Sequence, residues 1–391
     1  MLRCFALAVL VTLSLVRIAI ADDWGAFILR LGQDTTSVER YHRTATRLEI
    51  EQVGRAGRVL QSHVVYDLAD GAVTRATLVV TEPGTATPVQ TIDATFDHDS
   101  VYARMQNGSA PPESVVASVP HDAIVYWYAC AWASYETAIV RLMQGKSDSL
   151  RAPLYLLGSK GTAWLSLQRL GRDSADLLNR HQEHYCVHVD AAGHVLGALP
   201  ISGPNKFTVS RVADLDIASY ATAYAARERA GQGLGTLSPR DTLRTTVASA
   251  SIWIDYSRPS KRGRVIHGGV VPYGEVWRTG ANYATQFRTD QRLDFDGTIV
   301  PAGFYTLWTL PTATGWKLII NSETGQWGTA HDASKDLFAI DMKVSALPQV
   351  VERFTIGIDP TLQGGVLNLD WDATRASVAF AVRPVAPVVS H

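Results

Sequence analysis

The chain has 391 residues, 46% hydrophobic and 19% charged, with 36 Lys and Arg against 37 Asp and Glu. That composition is ordinary for globular protein and supplies apolar side chains for two cores, at roughly 150 residues per domain. A formal net charge of −1 excludes a general nucleic-acid binder, whose affinity rests on many cations facing phosphates.

Met1-Leu2-Arg3 is followed by an apolar run from Cys4 to Val16 and then by Ala19-Ile20-Ala21. A basic start, a short apolar stretch and a small-x-small box are the parts of a secretory signal peptide; Arg17 interrupts the late part. The apolar run is shorter than the ~20 residues that cross a bilayer. Residues 1–21 are therefore expected to be removed. The product would be exported, periplasmic or extracellular, beginning near Asp22, with no integral membrane segment. Losing Arg3 and Arg17 takes its formal charge from −1 to −3. Cys130 and Cys186 then remain. In an oxidising compartment they either pair, closing a long loop at ~4 kcal/mol, or stay as two buried thiols. Spacing leaves both open, because pairing needs Cα atoms within ~7 Å.

Residues 22–230 are expected to form a β-rich domain with helices. Arg47-Leu-Glu-Ile-Glu-Gln-Val53 alternates polar with apolar, as a half-buried strand does, and residues 59–65 do so in part. Asp70-Gly71 and Glu82-Pro-Gly84 are turn signals between such segments. Helical character is predicted over 134–143, with Gly145 as its stop, and over 175–184; 185–189 reads as a strand. Residues 216–230 form the strongest helix signal, with Asp216 placed to cap it and Gly231 after its last turn.

Gly231-Gln-Gly-Leu-Gly235 followed by Ser238-Pro239 breaks the pattern, so 231–242 is expected to be a linker. From 243 to 391 the sequence becomes a series of short strands, with a hairpin at Asp296-Gly297 and almost no helical period. Strands are predicted at 305–310, 316–321, 354–358, 367–371 and 377–382. Seven or eight strands at this spacing point to a β-sandwich, jelly-roll-like domain. The fold class is mostly β, an N-terminal antiparallel half-barrel-like α+β domain followed by that sandwich.

Residues 256–285 crowd Arg258, Lys261, Arg262, Arg264 and Arg278 among turn-forming Pro and Gly, beside Tyr256, Tyr273 and Trp277. So many cations cannot all be buried without partners, and loops between strands are where binding residues gather. Arg258, Arg264 and Arg278 with Asn282 could form an anion pocket, since guanidinium forks hold carboxylate or phosphate by paired hydrogen bonds. Trp277 could stack on a sugar ring. Six of the ten Trp residues lie after residue 250, which suits a carbohydrate platform. The bland alternative has Arg258 and Arg278 pairing with Glu275, Asp255 or Asp336 to pin loops, with the Trp residues filling the sandwich core. Lys261 and Arg262 are expected to be solvated turn residues.

A second set, His184, Cys186 and His188, shares one strand face at i, i+2 and i+4. These are candidate zinc ligands, with His181 nearby, weighed against an exposed polar strand face; no metal or other cofactor is expected. His267-Gly-Gly269 resembles an oxyanion loop, but G-x-S-x-G, S-x-x-K and H-E-x-x-H are all absent. Catalytic residues are therefore unassigned.

The residues Tyr256-Ser-Arg-Pro259, Gly263-Arg264, Val271-Pro-Tyr-Gly274 and Trp277-Arg-Thr-Gly-Ala-Asn282 resemble the bacterial family called domain of unknown function 2911. Ala284-Thr285, Pro301-Ala-Gly303 with Tyr305, Trp316 with Asn321, and Trp327-Gly328 extend the resemblance over roughly 237–382. It implies an exported β-rich domain and supplies no reaction. Family members often carry an Arg soon after the equivalent of Asp336, where this chain has Leu337-Phe338-Ala339. The N-terminal half looks like the curved half-barrels of some periplasmic carriers, a likeness of fold alone.

The leading expectation is a binding or envelope-associated module taking a small anionic or glycan ligand through Tyr256, Arg258, Arg264, Trp277, Arg278 and Asn282. Two others stay open. A hydrolase acting on envelope polysaccharide or peptide would need a carboxylate pair, with Asp255, Glu275 and Asp336 nearest, or a Ser/His couple. A periplasmic carrier of lipid or another apolar ligand would need a continuous apolar cavity in the N-terminal half. Nothing in the sequence specifies an oligomeric state.

Overall fold

The computed structural model describes residues 22–128, 132–179, 183–203 and 206–383. The expected signal peptide, Cys130 (and with it the Cys130–Cys186 pairing) and His181 lie outside these residues.

The first sheet starts as a meander. Strands β1 (Asp23–Leu31), β2 (Asp34–Arg43), β3 (Arg47–Gly54) and β4 (Leu60–Ala69) pair in sequence. They are followed by β5 (Ala72–Thr81), β6 (Gln90–Asp97), β7 (Ser100–Asn107) and β8 (Glu113–Ser118), which ends at one edge. The chain crosses to β9 (Ile124–Tyr126) at the other edge and enters helix α1 (Trp132–Gln144). Strands β10 (Ser149–Leu156), β11 (Ala163–Arg169) and β12 (Ser174–Leu178) then work back inward. They lead through β13 (His184–Val189) and β14 (Val195–Ser202) to β15 (Thr208–Val212), which pairs with β1. Among the described residues this makes a fifteen-stranded sheet, antiparallel except for the parallel β9–β10 pair.

The sheet curls. Phe96 on β6 and Tyr155 on β10 meet edge to face with ring centroids 6.0 Å apart, although eleven places separate their strands in the sheet order. At ~4.8 Å per strand a flat sheet would hold them ~50 Å apart. Because β8 and β9 do not pair, the curl stays open. Trp132, Ile139 and Leu142 of α1 join the core that alternate residues of the strands present on one face. The opposite face of β1–β3 is covered by helix α2 (Ile217–Arg229) through Ile217, Ala221 and Tyr224. Asp216 caps α2 as expected, accepting from Ser219 N at 3.0 Å.

Among the described residues, the helix predicted over 175–184 is not found: 175–178 belong to β12 and His184 opens β13, with Ala175 and Leu177 buried and Asp176 and Leu178 turned outward. Ala and Leu favour helices in isolation, but cross-strand pairing with β11 and β13 overrides that weak preference.

The second sheet opens with β16 (Arg240–Val247) and β17 (Ala250–Ser257). Next come β18 (Thr285–Thr289), β19 (Arg292–Phe295) and β20 (Thr298–Val300). Strands β21 (Gly303–Pro311), β22 (Trp316–Asn321), β23 (Asp336–Pro360) and β24 (Gly364–Arg383) complete it. The order is β16-β17-β18-β21-β22-β23-β24-β19-β20. The short strands predicted at 354–358, 367–371 and 377–382 are parts of the long β23–β24 ribbon, which shifts register at Ala346/Val351 and Val351/Thr355. The sheet folds over itself as a sandwich: Tyr256 on β17 meets Phe354 on β23 at 5.9 Å, four places away in the order.

Candidate functional site

The two sheets meet where the β1–β2 turn docks on the loop after β17. Gly32 has φ +61°, and a Cβ there would lie 2.1 Å from the Arg262 carbonyl oxygen, so only glycine permits the approach. Gln33 N donates to that carbonyl at 3.1 Å, and Arg262 Nη1 binds Asp34 Oδ2 at 2.6 Å. Lys261 binds Asp372 at 2.7 Å. The expectation that Lys261 and Arg262 are solvated is therefore wrong; their partners lie more than 100 residues away in the chain.

Beside this contact opens a cleft of about 480 Å³. The first sheet and its loops contribute Leu31, Lys206 and Phe207, and the second contributes Arg264, Arg278 and Trp371. Trp277, Glu275 and Asn282 also line it.

Arg278 is the unusual member. Of its five N–H donors, Nη1 reaches the Gly328 carbonyl at 3.3 Å, while the buried Nε has no partner. Among the described residues no carboxylate forms an ion pair with it. Burial, with no opposing charge, lowers the guanidinium to about 10, so it is charged and poorly solvated at neutral pH. Arg264 is also lowered to about 10, first by burial and then by Arg262. Its hydrogen bonds go to the Lys261 and Ser260 carbonyls at 3.0 and 2.5 Å. The Lys206 ammonium is pushed down by burial and by Arg278 and Arg264, against the opposing pull of Glu275. Three cations thus face a cleft in which, among the described residues, Glu275 is the one acidic side chain of the lining.

Of the six residues singled out in the sequence, Arg264, Trp277, Arg278 and Asn282 line this cleft, and Tyr256 and Arg258 do not. Tyr256 is buried in the sandwich core, its hydroxyl accepting from Ile356 N at 3.0 Å. Arg258 is a structural clasp: Nη1 binds Asp241 at 2.9 Å, Nε the Phe354 carbonyl at 3.0 Å and Nη2 Thr355 Oγ1 at 2.7 Å. Its donors are spent joining β16, β17 and β23. Trp277 forms a wall, because its indole N–H goes to the Gly280 carbonyl at 3.1 Å and its ring stacks on Trp371 at 5.9 Å. Asn282 adopts φ +60°, and among the described residues its side-chain amide is unpartnered. Lys206 was not foreseen, since no local pattern ties it to a loop some 70 residues later.

The other candidate groups are engaged elsewhere. Asp255 holds Arg240 through two hydrogen bonds. Asp336 accepts from Asn321 at 2.7 Å and contacts His331 at 3.0 Å. His184, Cys186 and His188 do share the outward face of β13. Successive outward residues are ~6.8 Å apart along a strand, too far for the three to meet one ion. His184 contacts Asp176 at 2.5 Å. Among the described residues no three His, Cys, Asp or Glu side chains cluster at metal-binding range. Burial lowers His267, which sits edge-on to Trp316 at 4.9 Å.

Residues 238–380 match the family described as Protein of unknown function (DUF2911), close to the span 237–382 that carries the sequence resemblance. No curated protein matches the chain. A crystal structure of a DUF1089 family protein from Pseudomonas aeruginosa is similar to 47% of this chain and 95% of its own, with 13% identity and a TM-score of 0.31.

Proposed function

We propose that this chain is an exported binding protein that takes a small organic anion in the cleft between its two sheets. The observation carrying the reading is Arg278, a largely buried guanidinium with an unpartnered Nε and no carboxylate. Leaving a buried charge unpaired costs several kcal/mol. A carboxylate or phosphate entering the cleft would supply the missing partner, and the low dielectric of the site would strengthen the contact. Arg264 and Lys206 add positive field, Asn282 adds a neutral donor, and Trp277, Trp371 and Phe207 receive an apolar or ring-shaped body. A cleft of this volume accommodates a small molecule.

The test is a thermal-shift screen of the purified chain against phosphate, phenyl phosphate and benzoate, with benzyl alcohol as the neutral control. Ring-bearing anions are expected to raise the melting temperature in a saturable way and the alcohol to leave it unchanged. Equal shifts by benzoate and benzyl alcohol would remove the electrostatic basis of the reading.

A further inference from the structure

A second cation-bearing surface lies on the outer face of the second sheet, away from the cleft. Four strands present their outward side chains there in one row. Arg244 on β16 pairs in register with Trp253 on β17, Trp253 with Arg288 on β18, and Arg288 with Phe304 on β21. The residues flanking them, Ile252, Ile254, Phe287 and Tyr305, point into the core, so the alternation of the strands fixes all four outward. The row therefore reads cation, aromatic, cation, aromatic across the sheet. It lines an open groove of about 1080 Å³.

Both guanidiniums are available. Arg244 and Arg288 are exposed, and among the described residues neither has an ion-pair or side-chain hydrogen-bond partner. Asp290 is the acidic residue in the groove, and its carboxylate accepts from Ser251 N at 2.8 Å. Trp253 and Phe304, on the strands flanking β18, have ring centroids 5.7 Å apart. Thr246 and Ser251, which pair in register two places along from Arg244 and Trp253, border the same groove.

We infer that this face binds a linear polysaccharide bearing carboxylates. Neighbouring strands are ~4.8 Å apart, which puts Arg244 and Arg288 ~10 Å from one another at the backbone. A charged group on a chain of sugar rings laid across the strands would meet a guanidinium at every second strand, with the apolar face of a ring on the aromatic between them. Guanidinium forks match carboxylates, and indole and phenyl faces take flat apolar surfaces. A purely apolar partner would leave the two cations desolvated. Single-stranded nucleic acid also combines stacking with charge, but its binders surround the row with further cations, and this chain has a net charge of −1.

The experiment is affinity electrophoresis of the full chain through gels containing polygalacturonate, its fully methyl-esterified form, or oligo-dT. Retardation by the acid polymer and not by the ester is expected. It should fall at least about tenfold in Arg244→Gln/Arg288→Gln and in Trp253→Ala, both surface changes with unaltered melting temperature. Arg278→Met should leave it unchanged, which separates this face from the cleft. Absence of retardation by polygalacturonate, equal retardation by the ester, or stronger retardation by oligo-dT would each overturn the assignment.

Discussion

Arg278 and Gly328 fit so closely that a Cβ added at residue 328 would lie 2.0 Å from Arg278 Cδ. The same Cβ would lie 2.4 Å from the Asn282 carbonyl oxygen, so a side chain there must displace backbone as well as the arginine stem. Gly328 also accepts, among the described residues, the one hydrogen bond that the Arg278 side chain makes. Gly328→Ala is expected to cost about 1–3 kcal/mol, as overpacking does. It should also weaken anion binding, because Arg278 loses its position. Urea unfolding and calorimetric titration measure the two effects separately.

Arg258 and Arg278 are expected to respond oppositely to removal of charge. Arg258→Met leaves Asp241, the Phe354 carbonyl and Thr355 without their donor, and a loss of about 2–4 kcal/mol is predicted. Arg278→Met removes a poorly solvated, unpaired cation, so stability should hold or rise by about 1–2 kcal/mol. Thermal unfolding of the two variants decides this; a large loss in Arg278→Met would make Arg278 a structural residue.

Glu39 is fully buried on β2, where its Oε1 accepts from Ala133 N at 2.7 Å at the start of α1 and its Oε2 has no partner. Burial raises its carboxyl to about 8, opposed by the backbone hydrogen bonds. The folded state therefore binds this proton more tightly than the unfolded chain, whose Glu titrates near ~4.3. Its contribution is fully present below the unfolded value and is lost as pH rises through about 8. Glu39→Gln should flatten the fall in stability between roughly pH 4.5 and 8, measured by denaturant midpoints across that range. An unchanged slope would mean that Glu39 is ionised in the fold.

The Arg262–Asp34 pair, 2.6 Å long with Arg262 Nε buried, joins the two sheets across 228 residues. A double-mutant cycle with Arg262→Met and Asp34→Asn is expected to give a coupling of about 1–3 kcal/mol. A coupling near zero would mean that the contact adds nothing to the seam.

Much of the fold was legible locally. The α2 cap at Asp216, the alternation in β3 and the Asp70-Gly71 turn, with φ of 50° and 81°, each follow from chemistry within a few residues. Residues 175–178 misled because the pairing that makes them a strand comes from β11 and β13, neighbours the sequence does not mark. The cluster at 256–285 was visible, yet Arg258 and Arg278 read alike as letters. What separates them is that Asp241 and β23 reach one, while among the described residues no acid forms an ion pair with the other. Lys206 and the Gly32 contact belong to the far half of the chain, and no local spacing signals them.

Isothermal titration of the chain and of Arg278→Met with phenyl phosphate tests most directly the proposed binding of an anion at Arg278. A saturable heat that weakens about 10–100-fold in the variant is predicted, the scale of a lost charged hydrogen bond at 1.5–3 kcal/mol. Equal affinity in the two proteins, or no binding by the unaltered chain, would contradict it.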